Sequence, residues 1–215
     1  GKPTTVGSPK PVSDNFSWEN ISTVNFGVDI SLLENRLGVN FDQYTRYTKD
    51  MLIPGKELPS VYGADVPTEN SGDLKTRGWE LRLNWRDKGI LAGSPFWFNI
   101  AFTLADNRSR ITRYDNPTKS LGNGWDRYYV GREIGEIWGA DITGFFKDDA
   151  DLANHPNQTA MGTDDQSYKF YGGDPIFADR NKDGEVNMGK KTVDDPGDMY
   201  IIGNSSSRFP YSADL

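Results

Sequence analysis

The chain has 215 residues, enough for one large domain or two small ones, and carries 31 acidic against 24 basic side chains for a formal charge of −7. The lack of cysteine excludes a disulfide scaffold, a cysteine-based zinc site and a thiol nucleophile, and the single histidine, His155, cannot supply a multi-histidine metal centre. Residues 1–140 hold 17 acidic and 17 basic side chains while 141–215 hold 14 and 7, so the acidic excess lies at the end of the chain and disfavours nucleic acid as a partner.

Glycine at 23 positions, aromatics at 13% and alternating Val, Ile, Phe and Trp predict strands and turns rather than helices. No apolar run is long enough for a transmembrane helix, and no signal peptide is expected. Residues 1–17, rich in Pro, Ser and Gly, read as an extended leading segment. Residues 18–105 then carry the regular elements. Val24, Phe26, Val28, Ile30 and Leu32 share one face of a first strand, opposite Thr23, Asn25, Gly27, Asp29 and Ser31. After a break at LENR, Leu37, Val39 and Phe41 continue the pattern on a second strand, giving an antiparallel hairpin.

A polar segment from about Lys49 to Lys75 separates this hairpin from a second one. There Trp79, Leu81, Leu83 and Trp85 share a face, followed by Phe96, Phe98, Ile100, Phe102 and Leu104 on the next strand. Residues 106–215 read as a loop-rich, acidic region. Its regular elements are one strand in EIGEIWGADI and a helical turn in KDDADLAN, where His155, in DLANHPNQT, reads as a surface residue.

Two readings of the strands stand side by side: a half-buried sheet of a soluble sandwich, or the wall of a membrane barrel with apolar faces toward lipid and polar faces toward a wet lumen. Strands of nine to eleven residues, connections that alternate short and long, and Trp79 and Trp85 roughly 20 Å apart on one apolar face favour the barrel.

The chemistry-bearing candidates lie in the last third. In DRNKDGEVN, the side chains of Asp179, Asn181 and Asp183 alternate, Gly184 stands where a tight turn needs positive φ, and the Glu185 carbonyl adds a further oxygen, a set that suits Ca2+. An EF-hand is excluded, because its twelfth position is Lys190 and no amphipathic helix flanks it; a calcium turn and a plain Asx-rich turn both remain open. Asp194, Asp195 and Asp198 are candidates for extra ligands or for a solvated acidic loop. Trp125, Tyr128 and Tyr129 in WDRYYVG are candidates for glycan contact, with packing as the alternative. Asp148 and Asp149, or Asp164 and Asp165, are paired carboxylates, but a glycosidase needs two acids across a formed cleft, so no enzyme is expected.

Longer strings bring in a family. The stretch from Trp18 to Leu52, with Trp18, Glu19, Phe26, Gly27, Asp29, Asn35, Arg36, Leu37, Asp42, Tyr44, Thr48, Asp50 and Leu52, resembles a segment of SusC/RagA-type TonB-dependent outer-membrane transporters. NSGDLKTRGWELRLNWR resembles the next segment of that family. ADRNKDGEVNMGKKTVDDPGDMYIIGNSSSRFPYS resembles a third, with Ser207 standing before Arg208 where the family has Pro. The resemblance covers Trp18 to Tyr211 in the family's order. It implies an all-β antiparallel meander of hairpins similar to part of a 22-stranded transmembrane barrel with long extracellular loops, the D-x-N-x-D-G turn lying in one of them. It also implies an outer-membrane location and a role in importing an oligosaccharide or peptide, with a SusD-like surface lipoprotein as lid and TonB as energy source. The plug and TonB-contacting segments of such importers are not matched here, so these residues are expected not to transport alone. The alternative is a self-contained, calcium-stabilised β domain that binds a glycan or protein partner at the cell surface.

Overall fold

The structure is a computed structural model and describes residues 16–54, 68–162 and 169–215. Four long strands follow one another as hairpins: β1 (Asn20–Leu32), β2 (Leu37–Pro54), β3 (Thr68–Leu91) and β4 (Ser94–Arg113). A late short strand, β9 (Tyr211–Asp214), pairs with β4, and the sheet order is β1-β2-β3-β4-β9, antiparallel throughout. Between them lie β5 (Glu136–Gly139), β6 (Ile142–Phe145), β7 (Pro175–Phe177) and β8 (Tyr200–Asn204), which form two small ladders, β5 with β8 and β6 with β7. The expected single strand in EIGEIWGADI is thus split between β5 and β6, and the expected helical turn in KDDADLAN is a short 3-10 turn at Asp151–Asn154.

Contacts divide the chain into two units. One comprises 1–115 and 206–215, the other 116–205. The first is the five-stranded sheet. Its strands outrun the sequence pattern, because β2, β3 and β4 continue in ladder pairing well past the last alternating apolar residue. The polar stretch between the hairpins therefore narrows to residues 55–67, which lie outside the described residues, as do 1–15 of the leading segment. At the opposite end the turns are tight. Leu33, Glu34 and Asn35 carry left-handed φ of 54°, 56° and 65° between β1 and β2, and Ala92-Gly93 closes the second hairpin with both φ positive, the geometry that matches the right-handed twist of paired strands.

The second unit has little regular structure and a mixed core. Leu121 and Val186 are fully buried together with Asp198, and Tyr129, Phe146, Ile176, Arg132, Glu136 and Gln158 are buried around them. Loops of this kind leave backbone groups in need of partners, and the buried polar side chains supply them. Gln158 donates to the Pro175 carbonyl and accepts from the Phe177 N–H. The Arg132 guanidinium donates to the carbonyls of Arg127, Trp125 and Glu136 at 2.9–3.1 Å.

Candidate functional site

The strand register assembles the alternating residues into rows. Val28, Phe41, Leu81, Leu104 and Tyr211 lie side by side across five strands, as do Ile30, Val39, Leu83, Phe102 and Ala213. A third row joins Leu32, Leu37, Trp85 and Ile100. These rows form one continuous apolar face, and it is open: Phe26 is 64% exposed, Ile30 45% and Ile100 43%. A soluble sandwich buries such a face, whereas in this chain the buried apolar residues of β4, Ala101 and Ile111, lie on the other side of the sheet, and the buried residue on the apolar side is the ion-paired Asp106.

That other side is polar. Its rows run Gly27, Asp42, Glu80, Ala105 and Asp29, Asn40, Arg82, Thr103. Asn25 donates to Asp42 at 3.1 Å, Asn40 donates to Asp29 at 2.5 Å, and the Thr76 and Ser109 hydroxyls share a 2.8 Å bond. Gly78 stands opposite Tyr44 on this face, and a Cβ there would meet the tyrosine ring at 2.5 Å, so the bare glycine leaves room for the ring to lie across the strand.

The apolar band also climbs. On β1 it occupies Val24 to Leu32 and on β4 Phe96 to Leu104, yet the register sets Val28 level with Leu104 and Leu32 level with Ile100. The band thus slides four residues over three strand steps. That is about 13 Å along the strands for about 14 Å across them, an inclination of about 43°. Strands of transmembrane barrels tilt by roughly 35–45°, so a level slab of hydrocarbon would cut this sheet along just such a slope.

A tight ion pair closes the sheet's late edge. Arg208 grips Asp106 with two bonds of 2.6 Å from Nε and Nη2, and Ala105 N–H donates to the Pro210 carbonyl beside it. Sequence reading singled out Arg208 only through the residue before it; the partner is 102 positions away and carries no local signal.

In the second unit the D-x-N-x-D-G turn forms as a turn. Asp179 accepts from the backbone N–H groups of Lys182, Asp183 and Gly184 at 2.6, 3.2 and 2.9 Å, and Gly184 has φ +90°. Asn181 accepts from the Asp183 N–H and donates to Asp183 Oδ2, and Asp183 Oδ1 accepts from the Glu185 N–H. Calcium demands six to eight converging oxygens. Here the acceptors are engaged in an Asx network, and among the described residues no three acidic or histidine groups are placed to hold a metal. These hydrogen bonds close the turn around Asp179.

Of the three later acids, Asp194 pairs with Lys119, Asp195 lies 3.7 Å from Lys190, and Asp198 joins the turn from within. Asp198 accepts from the N–H groups of Arg180 and Asn187, each at 2.8 Å, and of Asn181 at 3.4 Å. Neither surface solvation nor spacing on the chain announces that role.

The aromatic candidates separate. Tyr129 is 6% exposed and its hydroxyl donates to Glu136 at 2.6 Å, so it offers no ring face to a sugar; neighbouring tyrosines point to opposite sides of an extended segment, and this one turned inward. Burial first, then the bond to Glu136, raises its phenol above the ordinary value. Trp125 packs on Trp138 at 5.8 Å, and Tyr128 stays exposed at 39%. Asp148 and Asp149 accept from the N–H groups of Asp151 and Gly172, which makes them turn acceptors. His155 lies edge-on to Phe146 at 5.4 Å and 3.6 Å from Asp151, so it takes part in local packing. Asp164 and Asp165 lie outside the described residues.

An antiparallel meander with one apolar and one polar face, tilted rows, tight turns at one end and long connections at the other defines a section of transmembrane β-barrel wall. No protein-family model matches the chain. The comparisons identify its relatives as TonB-dependent receptors of the SusC/RagA type. It is 27% identical over 208 residues to TonB-dependent receptor P3 of Formosa agariphila, covering 92% of this chain and 20% of that protein. To TonB-dependent receptor SusC of Bacteroides thetaiotaomicron it is 24% identical over 204 residues, covering 88% and 18%. In fold it is similar to a chain of the RagAB peptide transporter, with a TM-score of 0.52, 27% identity and coverage of 62% of this chain and 14% of that one. A second RagAB structure, at 23% identity and a TM-score of 0.53, shares the fold. The chain spans about a fifth of the length of the curated relatives it matches.

Proposed function

We propose that these residues form one section of the wall, with its outer loops, of a TonB-dependent outer-membrane importer of glycans or peptides. The sheet's two faces carry this reading: an apolar band inclined at the angle of a barrel strand on one side and a hydrogen-bonded polar surface on the other. The tight turns at 33–36 and 92–93 face the periplasm and the long connections face outward, following the asymmetry of such barrels. A SusD-like surface lipoprotein and TonB are the proposed partners of the complete importer, which the polar face lines as part of the lumen. Alone, these residues do not transport, since a passage needs a closed ring of strands and a gated plug, and they carry no enzymatic role.

The test is membrane fractionation of the source cells with an antibody raised against the chain. Recovery in the outer membrane, in a band far larger than 24.1 kDa that co-purifies with a lipoprotein, is the expected outcome. A band near that mass in a soluble or secreted fraction would overturn it and favour the self-contained cell-surface domain.

A further inference from the structure

The loop unit contains a cavity of about 460 Å³, a volume that falls among small-molecule sites, which run from about 300 to 1,000 Å³. Phe146, Leu152, Pro156 and Phe170 make its apolar wall. Phe146 is buried and meets the His155 ring edge-on at 5.4 Å, and Phe170 meets Phe177 edge-on at 6.4 Å, so both rings of the wall are held in place. The polar lining is one-sided. Asn157 Oδ1 accepts from the N–H and the hydroxyl of Thr159, at 3.1 and 2.8 Å, which orients the amide and leaves its NH2 group without a partner among the described residues. Gln158, buried beside it, donates to the Pro175 carbonyl and accepts from the Phe177 N–H. The amide oxygens at the cavity are therefore engaged, whereas Asn157 Nδ2 and the exposed Lys169 ammonium, also without a partner among the described residues, remain as donors. No acid lines the cavity, although residues 141–215 hold 14 acidic side chains and only 7 basic ones. Asp151, 3.6 Å from His155, is answered by the Lys147 N–H and the Asn154 amide.

Free donors, one positive charge and no acid select a ligand rich in acceptor oxygens, and the apolar wall selects one with a carbon frame rather than a bare ion. An ionised carboxylate meets both donors with charge-assisted bonds, which are roughly twice as strong as neutral ones. A peptide fits less well, because its N–H groups and its amino terminus need acceptors and the side-chain amide oxygens here are taken. A sugar acid presents carboxylate and hydroxyl oxygens that accept, and ring C–H groups that pack on an apolar, aromatic wall.

We propose that this cavity binds a carboxylate-bearing sugar unit, with the carboxylate on Lys169 and Asn157 and the ring against the apolar wall. Every residue of the site belongs to the loop unit, so the inference does not depend on the barrel wall. In the proposed importer the cavity serves as an outer-loop contact for acidic glycans.

The experiment titrates the complete protein calorimetrically with three probes: glucuronate, glucose, which lacks the carboxylate, and N-acetylalanine, which carries a carboxylate without the sugar ring. Glucuronate is expected to bind at least about tenfold more tightly than either of the others. Lys169→Gln should erase most of that preference. Asn157→Asp keeps the oxygen that Thr159 holds but replaces the free donor with a negative charge, and should abolish glucuronate binding. Lys182→Gln removes the same charge from another exposed loop of the unit and should change nothing. Thermal melts report whether each variant is folded. Equal affinity for glucuronate and glucose, or binding of neither, would overturn the inference, as would a preference that survives both cavity variants. N-acetylalanine bound as tightly as glucuronate would overturn the sugar in favour of a peptide carboxylate. Each of these outcomes leaves the barrel wall to be judged by fractionation alone.

Discussion

A hydrocarbon slab makes a demand that a soluble core does not: the cost of a charge must depend on depth. The outward positions of β4 allow that test on one strand, because Phe96, Phe98, Ile100, Phe102 and Leu104 span eight residues, about 27 Å of strand or about 20 Å of depth at the inclination worked out above. Ile100 is at the middle. Since it is 43% exposed in the isolated sheet, little of the cost of Ile100→Arg is lost packing and most is the charge in lipid, about 2–4 kcal/mol at a bilayer midplane. Phe96→Arg and Leu104→Arg, about 10 Å away on either side, should each cost roughly 0–1 kcal/mol in charge, by the fall-off toward the interfaces. Asn99→Arg, one residue from Ile100 but on the inner face, should cost less than about 1 kcal/mol. Urea titrations of the complete barrel in phosphatidylcholine vesicles, read by tryptophan fluorescence, give the four values. A profile without a maximum near Ile100, or an Asn99 variant as costly as the Ile100 variant, would refute the lipid-facing assignment. Thinner bilayers should narrow the costly zone, which no protein-filled core can imitate.

Arg208→Ala should release the late edge, lowering stability by about 1–2 kcal/mol for a bidentate pair at a partly exposed rim; amide exchange of Ala105 and the β4 residues facing β9 should speed up, and unchanged exchange would show that β9 needs no clamp. Asp198→Ala strips three backbone N–H groups of their acceptor in a fully buried position and should cost about 3–5 kcal/mol, seen as a lower melting temperature and proteolysis between Asp179 and Asn187. Calcium at 5 mM against a chelator should shift that melting by less than about 1 °C, since the turn is closed by its own bonds; a rise of several degrees that Asp183→Ala abolishes would show an ion held there. Tyr129 is raised in the folded state, so above an ordinary phenol value of 10.0 the unfolded chain ionises first and stability, fully present below that pH, is lost as pH rises. Thermal melts from pH 8 to 11 should show this decline and Tyr129→Phe should flatten it.

The sheet was legible where its two faces differ and illegible where they do not. Alternation from Val24 to Leu32 and from Phe96 to Leu104 reveals both the strand and its sides, because one side meets an apolar surrounding. From Gln43 to Pro54, at the start of β3 and from Asp106 to Arg113 the backbone keeps its ladder while both faces turn polar, so the periodicity fades although the hydrogen bonding continues. The turn at Asp179 was legible in outline through its Gly184 and alternating oxygens. What those oxygens do was not, since cation ligands and Asx acceptors use the same atoms. Asp194, Asp195 and Asp198 are near neighbours in sequence with three different fates, and only folding places the last one under the loop.

The two units are held by different physics, and that predicts different sensitivities. In the loop unit, apolar burial is concentrated in a few side chains such as Leu121, Val186 and Phe146, while Asp198, Arg132, Gln158 and Glu136 each satisfy backbone or side-chain groups that no ladder reaches. Removing one polar atom there strands several partners at once, so isosteric changes should cost more than the loss of a methyl group. In the sheet the backbone is paired strand to strand, and a polar substitution on the inner face meets other polar groups. Its apolar face, by contrast, is satisfied only by what surrounds it. Order in the loops is therefore written into a handful of hydrogen bonds, whereas in the proposed barrel wall the outer face would take its stability from the lipid around it.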